Sequence, residues 1–364
     1  MRIVWAIVLL MTCLSHVVAQ QSNCDQTLDE ARKRLSNGHL YGIPAVLKPC
    51  IDNGFDKGQK IEAYLILTRT YLLIDDPISA ETSYLELLQL DPEHDVNIET
   101  DPVDIVYLDK KFTTTPIFIF YGKMGFNYSN ALLIQNYGTD NTDLTAESYE
   151  GGLGFNLGGG AEWNATEYLS LGFDLGYVTT AYNYANRFFN GDALTFNERQ
   201  SQVMGTLFFK YRRKINKFYP NAYVGIAGSY LLSSSADISL LDVISSVEQN
   251  DGGNETSTFE VAGPEEDMKP QRANVNRYLV AGLGSNFRFG YNYLLVDLRY
   301  HYGLNNFVKP GSQYLNDNLV YQYGYVDDYK RLHMLSLSVG WIVPRYKPRK
   351  IKEASGLFSR LFKK

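Results

Sequence analysis

No stretch of the 364-residue sequence approaches the roughly 18 consecutive apolar residues that a membrane-crossing helix requires. Cysteine is scarce, at three residues, which excludes a disulfide-dense scaffold. The five histidines, His16, His39, His94, His301 and His333, are scattered. No metal-ligand spacing, nucleophile elbow or phosphate-cradling glycine loop accompanies them. No metal, no cofactor and no enzymatic activity are therefore expected. Basic charge is not in excess either: 34 Lys and Arg face 40 Asp and Glu, for a net charge of −6, and no nucleic-acid partner is expected.

What the sequence has instead is strict alternation. Leu169, Leu171, Phe173, Leu175 and Tyr177 share one parity, and Ser170, Gly172, Asp174 and Gly176 the other. Period two gives one oily and one polar face. The pattern recurs over 118–126, 153–163, 203–211, 222–232, 279–289, 294–302 and 335–343, making eight segments. Each has about the 9 to 11 residues of a tilted bilayer-crossing strand, and the 28 Tyr suit interfacial aromatic girdles. Mean hydropathy, −0.23, hides such a face because the strands alternate. Short turns at 163–168, 213–221 and 290–293 interleave with long polar joins at 129–150, 182–197, 233–276 and 303–330. The expected fold is a transmembrane β-barrel of eight antiparallel strands over 115–344, with both barrel ends on the periplasmic side.

Residues 1–19 read as a signal peptide: Arg2, an apolar run from Ile3 to Leu14, and Val17 and Ala19 before Gln20. Cys13 leaves with it, so Cys24 and Cys50 remain as an even pair in an oxidising compartment, and a disulfide is expected. Residues 20–96 change to helical spacing, with helices over 26–37, 41–53, 57–75 and 78–90. Tyr64, Leu67, Tyr71, Ala80, Tyr84, Leu87 and Pro92 fall at the spacing of a tetratricopeptide repeat, and this stretch resembles that family over about 34 residues. It departs at Thr68, where the repeat has Gly or Ala. The resemblance implies that Tyr64, Leu67, Tyr71, Ala80, Tyr84 and Leu87 belong to a partner-binding module. A connecting segment over 97–114 carries a short helix with Val103, Val106 and Tyr107 on one face.

If Leu, Phe and Val face lipid, opposite parity turns Lys123, Glu162, Asp174, Lys210, Arg288, Asp297 and Arg299 inward. An eight-strand lumen is just wide enough for side chains to fill, so mixed charges there pair into a plug. His301 shares a face with Asp297, a pair that a lipid-modifying enzyme would use. The join at 233–276 is acidic and reads as a solvated loop, with a short helix over 238–247 and a surface for an extracellular partner. The tail, 345–364, is basic and amphipathic, with Ile351, Ala354, Leu357, Phe358, Leu361 and Phe362 along one side.

The barrel half resembles the porin-like outer-membrane β-barrel family of Gram-negative bacteria over about 230 residues. That resemblance implies the outer membrane, its lipid as surroundings, and periplasmic N- and C-terminal segments. The fused helical module is similar to components that tether larger envelope machines. The function expected is an outer-membrane scaffold or accessory subunit of a secretion or outer-membrane assembly complex, binding a periplasmic protein. A narrow channel for ions or small solutes and a lipid-modifying barrel enzyme are the alternatives.

Overall fold

The computed structural model describes residues 24–137, 146–188, 192–215, 218–246 and 255–351. The expected signal peptide and the tail beyond Ile351 lie outside them. The chain divides into two compact units, one of Met1–Pro116 with Tyr346–Lys364, the other of Ile117–Arg345.

In the first unit a helix over 24–36 (α1) is followed by α2 (Ile43–Asp52), α3 (Lys57–Leu73), α4 (Pro77–Leu90), α5 (Val103–Asp109) and a two-residue strand, β1 (Phe112–Thr113). Local chemistry sets the starts. Asp56 and Gln59 cap α3 reciprocally, and Asp76 caps α4, whose first residue, Pro77, has no N–H to leave unpaired. The Cys24–Cys50 disulfide joins α1 to α2 within a core that includes Leu28, Ala31, Ile43, Leu47, Ala63 and Ile66. Gly54 is required beside it, because its φ is +151° and a Cβ there would stand 2.6 Å from Cys24 Sγ. Buried Thr68 satisfies its hydroxyl by donating to the Tyr64 carbonyl at 2.7 Å.

The segment over 97–114 does more than connect. Ile105 and Leu108 of α5 join Tyr84, Leu87 and Leu88 of α4 in a second core cluster. Of Val103, Val106 and Tyr107, only Val106 is half-buried. Val103 and Tyr107 are exposed, because Ile105 and Leu108, one helical turn apart, take the buried side.

The second unit is the barrel: β2 (Phe118–Gln135), β3 (Ala146–Asn164), β4 (Leu169–Arg187), β5 (Ala193–Arg212), β6 (Phe218–Ser246), β7 (Glu255–Ala262), β8 (Glu266–Asp267), β9 (Val275–Phe289), β10 (Asn292–Gly303), α6 (Asp317–Tyr323) and β11 (Tyr329–Arg345). Neighbours pair antiparallel in the order β5-β4-β3-β2-β11-β10-β9-β6, and β6 pairs with β5 to close an eight-strand ring. Strand β7 extends β6 into a two-stranded arm. After β11 the chain returns to the first unit, where β12 (Arg349–Lys350) pairs with β1. The tail expected from residue 345 is therefore anchored through Ile351, whose N–H donates to the Lys111 carbonyl at 2.7 Å.

The strands are about twice the length a bilayer needs, 19 residues in β4 and 20 in β5. In β4 and β5 the in-out alternation runs unbroken, but its polarity inverts, whereas β6 shifts parity at an irregularity beside Ser233. Outward residues of β4 run Leu169, Leu171, Phe173, Leu175, Tyr177, then Thr179, Asn183 and Arg187. Inward residues run Ser170, Asp174, then Val178, Tyr182 and Tyr184. Past Tyr177 the strands continue around an apolar core of Leu194, Phe196, Ala236, Ile238, Phe307 and Leu332. The long joins are shorter than expected for that reason. The expected helix over 238–247 corrects to strand as far as Ser246, since Ser239–Ser246 pairs with Glu255–Ala262, and residue 247 lies outside the described residues.

The disulfide closes a loop of 26 residues, which in the chain-entropy picture stabilises the helical unit by roughly 3.5 kcal/mol. The Cys50→Ser variant should therefore lose helical far-UV circular dichroism at a lower temperature than the parent, with the β signal melting unchanged. Equal helical melting would remove the staple's role.

Candidate functional site

Three places are candidates: the middle of the lumen, the far end of the barrel, and a groove on the helical unit.

In mid-lumen Lys123 of β2 donates to Asp174 of β4 at 2.9 Å and stands 3.8 Å from Asp297 of β10. Arg299 completes the cluster, 2.8 Å from Asp174 and 3.5 Å from Asp297. The Tyr223 hydroxyl donates to Asp297 at 2.5 Å and accepts from Arg299 Nε at 2.8 Å. Its ring lies over Gly282, where a Cβ would come within 2.2 Å of it. Lys210 pairs with Glu162 nearer the turn end. Both Lys210 and Arg299 also lie against the faces of Phe208 and Tyr223, so the aromatic layer touches both ion clusters. Arg288 alone of the predicted set stays at the rim, its Nε donating to the Gly290 carbonyl at 3.1 Å. The cavity left among these groups is about 40 Å³, room for a few waters.

His301 and Asp297 do not form the pair considered from the sequence. Among the described residues no hydrogen bond or ion pair joins them, because Asp297 is engaged by Tyr223 and Arg299 while the His301 ring packs edge-on to Tyr278.

The far end holds a second network that the sequence reading missed. Arg272, arriving after the 3-10 turn Lys269–Gln271, donates Nε to Glu198 Oε1 at 2.7 Å and pairs with Asp327. Lys330 lies 2.8 Å from Asp327 and donates to the Tyr325 hydroxyl at 3.1 Å. Glu198 also accepts from Ser234 and Gln200. All four charged side chains are at most 1% exposed. Burial alone would raise the Asp327 carboxyl, but the Arg272 and Lys330 charges outweigh it and hold the group below its ordinary value. The parity that turned Lys210 inward also turns Glu198 inward. That signal was readable, had the strand been carried past its apolar stretch.

The eight-strand closed ring, its apolar outer face and its paired lumen agree with one further finding. A model of the outer membrane protein beta-barrel domain matches residues 118–309. The chain belongs to that family. Membership places it in the outer membrane of a Gram-negative bacterium. Solved structures similar to this outer-membrane barrel include OprG from Pseudomonas aeruginosa, at 10% identity over 65% of this chain and 99% of that one, TM-score 0.32. Neisserial surface protein A follows at 14% identity, covering 62% and 97%, TM-score 0.27. Ail of Yersinia pestis matches at 12% identity, covering 62% and 97%, TM-score 0.23. Likenesses this low add no weight to the family match. No curated protein matches the sequence.

Fused to this outer-membrane barrel, the helical unit carries a groove of about 530 Å³, lined by Leu35, Leu65, Leu72, Leu73, Pro102 and Ile105 and edged by Arg32, Glu62, Arg69 and Asp104. The residues assigned from the repeat pattern do not line it. Ala80, Tyr84 and Leu87 have no exposed surface, Leu67 is buried, and Tyr64 and Tyr71 are half-buried. The reason is physical: side chains at that spacing hold the helix pair together. Leu73, 62% exposed, is the apolar side chain that presents itself most openly in the groove.

Removing one member of the far-end network strands its partners. Arg272→Met leaves buried Glu198 without its ion-pair partner and Asp327 with Lys330 only, and should destabilise the far end by about 3–5 kcal/mol, seen as earlier loss of the tyrosine near-UV signal on heating. Because the Asp327 carboxyl is held below 3.8, its contribution is complete above that pH and is lost as pH falls below it. The parent should therefore loosen at the far end only below about pH 4, and a transition near neutrality would contradict the assignment.

Proposed function

We propose that this outer-membrane barrel is a non-enzymatic scaffold, an accessory subunit of a secretion or outer-membrane assembly complex, whose helical unit stands in the periplasm and binds a protein partner. The observation that carries this reading is the apolar groove on the disulfide-stapled helical unit. The lumen supports it by contrast. Lys123, Asp174 and Arg299 pair with one another there, and the cavity beside them is about 40 Å³. The turn end, where the chain enters and leaves the barrel, faces the periplasm in this reading, and the far end faces outward.

The test is capture from outer membranes in mild detergent, with a photo-crosslinking side chain beside the groove at Ser36. The intact chain should yield one stoichiometric adduct, reduced at least tenfold by Leu73→Glu at unchanged barrel level. An intact chain that emerges alone sinks the scaffold. In planar bilayers the purified barrel should show no discrete conductance steps; steps that vanish on Arg299→Met would establish the channel instead.

A further inference from the structure

The groove continues into a smaller hollow of about 190 Å³ that shares Leu72 and Asp104 with it and reaches Glu81 and Lys111. Those last two residues are also the ones that hold the returning chain. Lys350 Nζ lies 2.6 Å from Glu81, and the Ile351 N–H donates to the Lys111 carbonyl at 2.7 Å. Residue 352 therefore leaves the described structure at the mouth of the trough.

The sequence that follows suits it. Ala354, Leu357, Phe358, Leu361 and Phe362 recur at the i, i+3, i+4, i+7, i+8 spacing of one helical stripe, with Lys352, Arg360, Lys363 and Lys364 off that stripe. Thirteen residues in a helix span about 20 Å. The trough offers exposed Leu73 and Tyr107, and Asp104 makes no ion pair among the described residues. Acidic residues also outnumber basic ones over 24–111, complementing the basic segment.

We propose that residues 352–364 fold back as an amphipathic helix along this trough, so that the chain covers its own groove. The docking stands on these contacts alone; its corollary, that a partner must displace the segment, rests on the scaffold reading.

A benzophenone side chain replacing Phe358 in the intact chain, in detergent and in lipid, should crosslink within the same molecule to Leu72, Leu73 or Tyr107, read by mass spectrometry. Adducts to lipid only, or to a second copy only, would overturn the proposal. Independently, a fluorescent peptide of residues 352–364 should bind a chain ending at Ile351 saturably. It should bind the intact chain at least tenfold more weakly, since the tethered copy competes at high effective concentration. Equal binding to both chains, or binding to neither, would overturn it. Neither measurement involves a partner, so a chain that docks its tail yet captures nothing from membranes would refute the scaffold while leaving the docking in place.

Discussion

Backbone hydrogen bonding in lipid constrains everything else in the barrel. A strand in hydrocarbon must pair on both edges, so the sheet closes where β6 meets β5. Closure at eight strands leaves a lumen the width of its own side chains. Charges placed there have little room for water and find each other, as Lys123, Asp174, Asp297 and Arg299 do. Through that chain of necessity, a demand of the peptide group ends in a lumen lined by paired charges.

How much of this could be read from the residues depends on which signal carried it. The strand centres were legible because Leu169 to Tyr177 put every apolar side chain on one parity, and the inward set Lys123, Glu162, Asp174, Lys210, Asp297 and Arg299 followed from the same rule. The strand ends were not legible as strands. Past Tyr177 the apolar side chains change sides, to Tyr182 and Tyr184, and a reader following one oily face sees it stop. The far-end network was lost with it: Arg272 comes from outside any strand and meets Glu198 only through long-range folding, a contact that no local pattern encodes.

The helical unit shows a different limit. Repeat spacing located α3 and α4 well, because it reports how a helix pair packs. The same positions are buried in that packing, Ala80, Tyr84 and Leu87 among them. The groove is made by α1, α3 and α5 together, and α5 was read as a connection with Val103 and Tyr107 inward. In a seven-residue helix, two positions on either side decide the face, and only the tertiary fit of Ile105 and Leu108 chose between them.

The arm of β6 and β7 rises past the ring, and the outer edge of β7 carries no further strand among the described residues. An open edge invites the same edge of a neighbouring molecule. Here the sequence along the arm carries Asp242, Glu255 and Glu260. Two arms laid side by side in a crowded bilayer would bring like charges together. That repulsion opposes edge-to-edge pairing.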